Sequence, residues 1–289
     1  MDDGGRRRKT GLDRSVLPSV VVTAAAVAVA GCAHFPFVQG AHEPPVRPAS
    51  MQAQEDIDLF LAPSVGLASP ADAVVRVVGP QMTCTGALIA EDLVLTAHHC
   101  VVQRSAGGEL SAKALAPAAL EVELGGDYLP WGNVGITAVL TPACGEAGGR
   151  GDIAVLVLER KLVGMATLPL REAAPHVGER VYAAGFGRCV LSPEGIRRRE
   201  REGGAIASVS RGAFEVQASV CPGDSGGPVL DLLTHEVVGV VSLSAMDYDE
   251  GTRGRSVFTR IDEMPKLVAY ARLVADGGDP SDLPPLSCE

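Results

Sequence analysis

The stretch CPGDSGGPV, residues 221–229, sets one serine in a frame of glycines and prolines. Gly permits positive φ and Pro punctuates a chain, so the plainest reading is a tight turn between two strands. The second reading is chemical. Ser225 is exposed to attack geometry by its small neighbours, and the amides of Gly223 and Ser225 lie where both can face a developing oxyanion. A serine hydroxyl is a poor nucleophile near neutral pH, so this reading requires a base elsewhere in the chain.

Two upstream segments meet that requirement. LTAHHC, residues 95–100, carries two adjacent histidines, and DIAVLVL, residues 152–158, opens a hydrophobic run with an aspartate. The chain order is therefore His, Asp, Ser. That order decides against a rival hydrolase architecture. Residues 223–227 also fit G-x-S-x-G, but the nucleophile elbow needs Ser, then acid, then His along the chain. Only His235 follows Ser225, with no strand–helix unit between them. A metal site at His98 and His99 has no support either, since no nearby Cys, Asp or His shows ligand spacing.

The rest of the chain fits many short strands. Of 289 residues, 46% are hydrophobic and only 4% aromatic, with 34 glycines and 20 prolines, a mix that suits strands and turns better than long helices. Short apolar runs punctuated by Gly, Pro and Asp follow one another: AVVRVVG, GALIAEDLVLTA, LEVEL, GITAVLT, DIAVLVL, RVYAAGFG, GAFEVQA, GPVLDLL, EVVGVVSLS and SVFTRI. This spacing predicts an all-β barrel or sandwich. Near the end, Asp262 is placed to cap a helix with Pro265 in its first turn, with Leu267, Tyr270, Ala271 and Val274 on one face. A net charge of −10 argues against nucleic acid as a partner. The basic run Arg197–Arg199, flanked by Glu194, Glu200 and Glu202, reads as a solvated loop.

The first 64 residues read as export and tether. Arg6, Arg7, Arg8 and Lys9 precede an apolar run from Val16 to Gly31, which is a secretory signal pattern and short for a membrane span. Its end, Val29-Ala30-Gly31-Cys32, resembles a bacterial lipobox, with Cys32 the lipidated residue. The expected organisation is a lipoprotein signal peptide over 1–31, a Pro-rich tether over 32–64 and a catalytic domain over 65–289. The expected location is a bacterial cell envelope, lipid-anchored on the periplasmic or outer face. Six cysteines besides Cys32 make disulfides the default in an exported chain.

Taken together, TAHHC, GDIAVL, GDSGGP and the preceding CTGALI (residues 84–89) resemble the trypsin/chymotrypsin family of serine peptidases, over residues 65–276. The resemblance implies two six-stranded antiparallel β-barrels with a C-terminal α-helix, and a serine endopeptidase that acts as a monomer on protein or peptide substrates without metal or cofactor. It assigns His99, next to the cysteine, as the base; His98 stands where the family usually has a small residue. Asp152 orients the histidine, Ser225 attacks, and Gly223 with Ser225 forms the oxyanion hole. Ser242 matches a serine that hydrogen-bonds the aspartate and borders the substrate pocket. Ser219 falls at the pocket base, with Leu243, Ser244 and Ser256 as walls, so small or medium uncharged side chains are expected rather than Lys or Arg. Cys84–Cys100 matches the family's histidine-loop disulfide. The resembling fold places Cys189 near the oxyanion loop, which suggests Cys189–Cys221 and leaves Cys144 with Cys288, but four cysteines allow three pairings and spacing selects none of them.

The resemblance weakens at activation. Family members usually expose a new N-terminus whose α-amino group pairs with the aspartate before the serine, here Asp224. The nearest matching sequence is Ser64-Val65-Gly66-Leu67, a poor one. Three routes stay open: atypical cleavage near Ser64, another partner for Asp224, or a locked zymogen. The last connects to a competing reading, a non-maturing peptidase-fold binding protein of the cell envelope.

Overall fold

The computed structural model describes residues 69–104, 110–126, 129–142, 149–188, 196–244 and 255–287. Cys32, Cys144, Cys189, Cys288, Ser64 and the whole signal and tether segment lie outside the described residues.

The first half of the described chain forms β1 (Val74–Gly79), β2 (Met82–Ala90), β3 (Leu93–Thr96), β4 (Val102–Arg104), β5 (Leu110–Ala114), β6 (Glu121–Leu124), β7 (Gly132–Leu140) and β8 (Ala154–Leu158). Six of these close into an antiparallel barrel in the order β1-β2-β3-β8-β7-β6, shut by pairing of β6 with β1. Strand β6, sequence EVEL, alternates buried valine and leucine with half-exposed glutamates, as a strand with one wet face must. Every residue of β8, sequence AVLVL, is buried instead. One face fills the barrel, and the other lies under the C-terminal helix. Strands β4 and β5 form a separate two-stranded ribbon.

The second half supplies β9 (Arg180–Gly185), β10 (Arg199–Glu200), β11 (Gly204–Ser210), β12 (Ala213–Gln217), β13 (Pro228–Asp231), β14 (Val237–Ser244) and β15 (Arg255–Arg260). The order β9-β11-β12-β15-β14-β13 closes through pairing of β13 with β9. Short β10 pairs with the end of β9, Arg199 against Gly185 and Glu200 against Ala184. The interior is packed by Val181, Phe214, Val216, Val229, Val241 and Phe258, with the two phenylalanine rings 5.4 Å apart. The fold is thus a pair of closed six-stranded barrels, as the resemblance implies, where strand spacing alone left barrel and sandwich open.

Helix α1 (Pro265–Ala275) ends the second barrel and packs on the first, against β8, β7 and β3. Leu267 and Ala271 are its buried residues, with Tyr270 and Val274 partly covered. Its N-cap is Met264, without a side-chain cap, and not Asp262. The Asp262 carboxylate instead accepts two bonds from Arg260, at 3.0 and 2.6 Å. Among the described residues no helix is long and apolar enough to cross a membrane.

In the basic run Arg197 and Arg199 are exposed, with Glu200 and Glu202 beside them, and only Arg198 departs from the solvated role expected. Arg198 is not solvated: its Nη2 donates to Asp72 Oδ1 at 3.1 Å, and its backbone N–H to Gly126 O at 2.8 Å.

Candidate active site

The base arrives on the first barrel. After β3 the chain turns through a single 3-10 turn, His98–Cys100, whose three side chains are all buried. Cys100 is joined to Cys84 on β2, which anchors this turn to the barrel wall. The acid comes from the next strand over. Thr96 of β3 pairs with Ala154 of β8, so the turn leading into β8 delivers Asp152 beside His99. That turn is held from the second barrel, where Thr259 Oγ1 on β15 donates to Gly149 O at 2.5 Å and Asp152 O at 3.1 Å.

Asp152 is fully buried. Its Oδ1 accepts the His99 backbone N–H at 2.9 Å, and its Oδ2 accepts His99 Nδ1–H at 2.8 Å and Ser242 Oγ–H at 2.5 Å. Burial disfavours the charge and is the largest single influence, but the bonds from the His99 ring, attraction to His99, and the bonds from Ser242 and the His99 amide together outweigh it. The carboxyl is held below the usual aspartate range. With Nδ1–H donating to a carboxylate, a neutral His99 carries its lone pair on Nε2.

His98 points elsewhere. It is buried, and its Nδ1 has no partner among the described residues. Desolvation pushes its pKa down, with Asp152 opposing and His99 reinforcing that shift. Cys84, His99 and Cys100 bring potential ligand atoms within 4.8 Å of one another, but both sulfurs are committed to the disulfide, so the cluster is not a metal centre.

The serine turn belongs to the second barrel. Asp224 N–H donates to Cys221 O at 2.9 Å, and Gly223 at its third position has φ +101°, the geometry of a type II turn with proline second. The Pro222 carbonyl accepts from Arg188 N at 3.0 Å. Because a trans peptide sets C=O and N–H on opposite sides, the Gly223 N–H faces away from Arg188. Among the described residues neither the Gly223 nor the Ser225 amide has an acceptor. Ser225 is partly exposed, and its carbonyl accepts Thr85 N–H at 2.8 Å. No hydrogen bond joins Ser225 Oγ to His99 among the described residues; such bonds are often long without substrate. Gly226, at φ +81°, has a packing reason to be glycine. A Cβ there would lie 2.2 Å from Thr96 Oγ1 and 2.3 Å from Thr85 O, so this glycine makes room for the first barrel rather than for a ligand.

The residues expected around a substrate pocket gather where β12, β14 and β15 meet, with Ser256 paired to Val216 on one side and to Ser244 on the other. Ser219 is exposed and Leu243 half exposed. Ser256 is 1% exposed and donates to Ala218 O at 2.6 Å, so its hydroxyl serves the wall and not a ligand. Ser242 likewise turns its hydroxyl to Asp152 and away from any pocket. The side chain of Ser244 lies outside the described residues. Cys221 is disulfide-bonded, and Cys189, its expected partner, lies outside the described residues.

Sequence reasoning missed two residues of this site. Thr85 Oγ1 donates to Gly223 O at 2.7 Å and accepts Phe186 N–H at 3.0 Å, clamping the serine turn from the first barrel. Arg201 forms a double ion pair with Asp224, through Nε to Oδ2 at 2.7 Å and Nη2 to Oδ1 at 2.8 Å. The signal for Thr85 was its place beside Cys84 in CTGALI; for Arg201 there was none short of a fold.

Two closed barrels, a His–Asp pair on one and a serine turn on the other, define a chymotrypsin-like peptidase scaffold. The trypsin family matches residues 63–268, and the chain belongs to that family. It is 28% identical to a serine protease of Anopheles gambiae, SP24D, over 57% of this chain and 63% of that protein, and so spans less than two thirds of that relative's length. It is 28% identical to the cercarial protease of Schistosoma mansoni over 55% of this chain and 69% of that one. Among solved structures it is similar to a Glu endopeptidase (TM-score 0.58, 18% identity, 74% of this chain and 94% of that one). It is also similar to neuropsin, a serine protease of mouse brain (TM-score 0.54, 19% identity, 71% and 97%). These two likenesses carry the fold.

Proposed function

We propose that this protein is a serine endopeptidase that cleaves peptide bonds through an acyl-enzyme on Ser225. The observation that carries the reading is the buried His99–Asp152 pair. A carboxylate bonded to both the ring and the backbone of one histidine fixes its tautomer and rotation and leaves Nε2 as a base. In the proposed reaction His99 Nε2 takes the proton of Ser225 Oγ as the oxygen attacks the substrate carbonyl. The tetrahedral oxyanion is received by the amides of Gly223 and Ser225. His99 then returns the proton to the leaving amine, and a water repeats the sequence to release the acid. Asp152 stays ionised throughout and stabilises the imidazolium.

The pocket reading follows from Ser219 and Leu243, which offer no charge to a substrate side chain; small or medium uncharged residues are the proposed specificity. The basic, apolar and lipobox-like N-terminus supports export and a lipid anchor at Cys32.

The test is Ser225→Ala in the full chain. Peptide hydrolysis should fall by about 10⁶ and labelling by a fluorophosphonate probe should vanish, with the melting transition kept. Hydrolysis that survives the substitution refutes the mechanism. For the anchor, Cys32→Ser should move the protein from the membrane fraction to the soluble one; unchanged fractionation refutes lipidation.

A further inference from the structure

The turn that carries the oxyanion donors is fastened at its carbonyls and at Asp224, leaving the Gly223 and Ser225 amides without an acceptor among the described residues. Cys221 O holds Asp224 N–H, Pro222 O holds Arg188 N–H, and Gly223 O holds the Thr85 hydroxyl. The Asp224 side chain closes the set. It is fully buried, and its two oxygens accept four bonds. Oδ1 takes Gly187 N–H at 2.7 Å and Arg201 Nη2 at 2.8 Å, while Oδ2 takes Arg201 Nε at 2.7 Å and Cys221 N–H at 2.9 Å. A carboxylate offers about four lone-pair sites, and all are occupied.

Arg201 is itself tightly placed. It follows β10, and its backbone N–H donates to Ala183 O at 2.7 Å, so the β9 ladder fixes the start of the side chain. Its Nη2 also donates to Gly187 O at 2.5 Å, and the side chain is only 9% exposed. A planar guanidinium presenting two parallel donors to a carboxylate fixes orientation as well as charge.

We propose that Arg201 is the built-in counter-ion of Asp224, a positioning residue that holds the oxyanion turn open for catalysis in the uncut chain. A new α-amino group is then unnecessary, because the site it would occupy is filled from within the same barrel. The poor Ser64-Val65-Gly66-Leu67 sequence is the expected consequence: nothing requires cleavage there. The inference rests on the peptidase reading and selects among its three activation routes.

The experiment uses the full chain, verified uncut by intact mass, and a fluorophosphonate probe with a peptide substrate. The uncut chain should acquire one adduct on Ser225, at a rate that trimming of the first 64 residues leaves unchanged. Arg201→Met should slow labelling and lower kcat by about 10² to 10³, the loss expected when an oxyanion donor is misplaced, while KM moves less than about threefold. Arg201→Lys, which keeps the charge without the fork, should recover part of that loss. A merely structural role would lower the melting temperature without splitting kcat from KM. Labelling that appears only after trimming overturns the Arg201 role and leaves the peptidase reading standing. No labelling before or after trimming overturns both. If Arg201→Met does not fold, the uncut wild type and Arg201→Lys still decide: a silent uncut chain, or a Lys variant with full kcat, refutes the proposal.

Discussion

A carboxylate without solvent keeps its charge only when donors surround it, and Asp152 shows how few suffice. Its folded pKa lies below its value in the unfolded chain, so the folded state binds that proton more weakly. The stabilisation is present above about pH 4 and is lost as pH falls through the folded value. Ser242→Ala removes one charge-assisted donor. Stability at pH 7 should drop by about 1.5–3 kcal/mol, kcat should fall by about tenfold, and acid unfolding should begin at higher pH. Urea melts between pH 2 and 7 check this; an unchanged acid midpoint contradicts it. His98 makes a second residue-scale prediction. Burial keeps it neutral in the fold, while the unfolded chain takes up a proton as pH drops below about 6.5. Its contribution is therefore present above that pH and lost as pH falls toward the folded value. His98→Ala should flatten the stability profile below about pH 6.5, read as a melting-temperature difference from wild type that changes as pH falls from that value. No change in that difference would mean His98 is not held neutral.

At the scale of elements, the turn carrying His99 depends on one cross-link. Cys84 and Cys100 are 16 residues apart, and closing a loop of that size stabilises the fold by about 3 kcal/mol through the unfolded state. The pair Cys84→Ala, Cys100→Ala should lose about that much in denaturant melts, and Ser225 labelling should slow because the turn is no longer tied to β2. Full reactivity in the double variant would show that hydrogen bonds alone position His99. The same elements show what a sequence can reveal. Ten apolar runs each became a strand or a strand pair, with GALIAEDLVLTA dividing at Glu91 and Asp92 into β2 and β3. Strand β11 escaped because Ile206 is its one fully buried residue, leaving no alternation to read. The helix was legible from its apolar spacing, but its cap was not, since Asp262 had a stronger partner in Arg260. The contact of His99 with Asp152 was legible because both lie in short motifs, TAHHC and GDIAVL, that could be matched along the chain. Thr85 and Arg201 were not: each reaches its partner across strands, 138 and 23 residues away, and only closure of the barrels creates those contacts.

At the scale of the molecule, the site exists only where the barrels meet. Thr85 of the first barrel holds the serine turn of the second, and Thr259 of the second holds the aspartate turn of the first. Arg198 and Asp72 add an ion pair between the two halves. Helix α1 completes the exchange, since it continues the chain of the second barrel yet buries Leu267 and Ala271 in the core of the first. Neither barrel should therefore unfold alone. Trp131, the single tryptophan, sits at the entry to β7 and reports on the first barrel, whereas probe labelling at Ser225 needs both barrels, since His99 stands on the first and Ser225 on the second. Leu267→Ala deletes a fully buried side chain and should cost about 2–5 kcal/mol. Because the barrels share the helix and the turn bonds, Trp131 fluorescence and Ser225 reactivity should be lost in one coincident transition, shifted equally in the variant. If Ser225 reactivity is lost while Trp131 fluorescence stays native, the contacts between the barrels are too weak to couple them, and the second barrel unfolds alone.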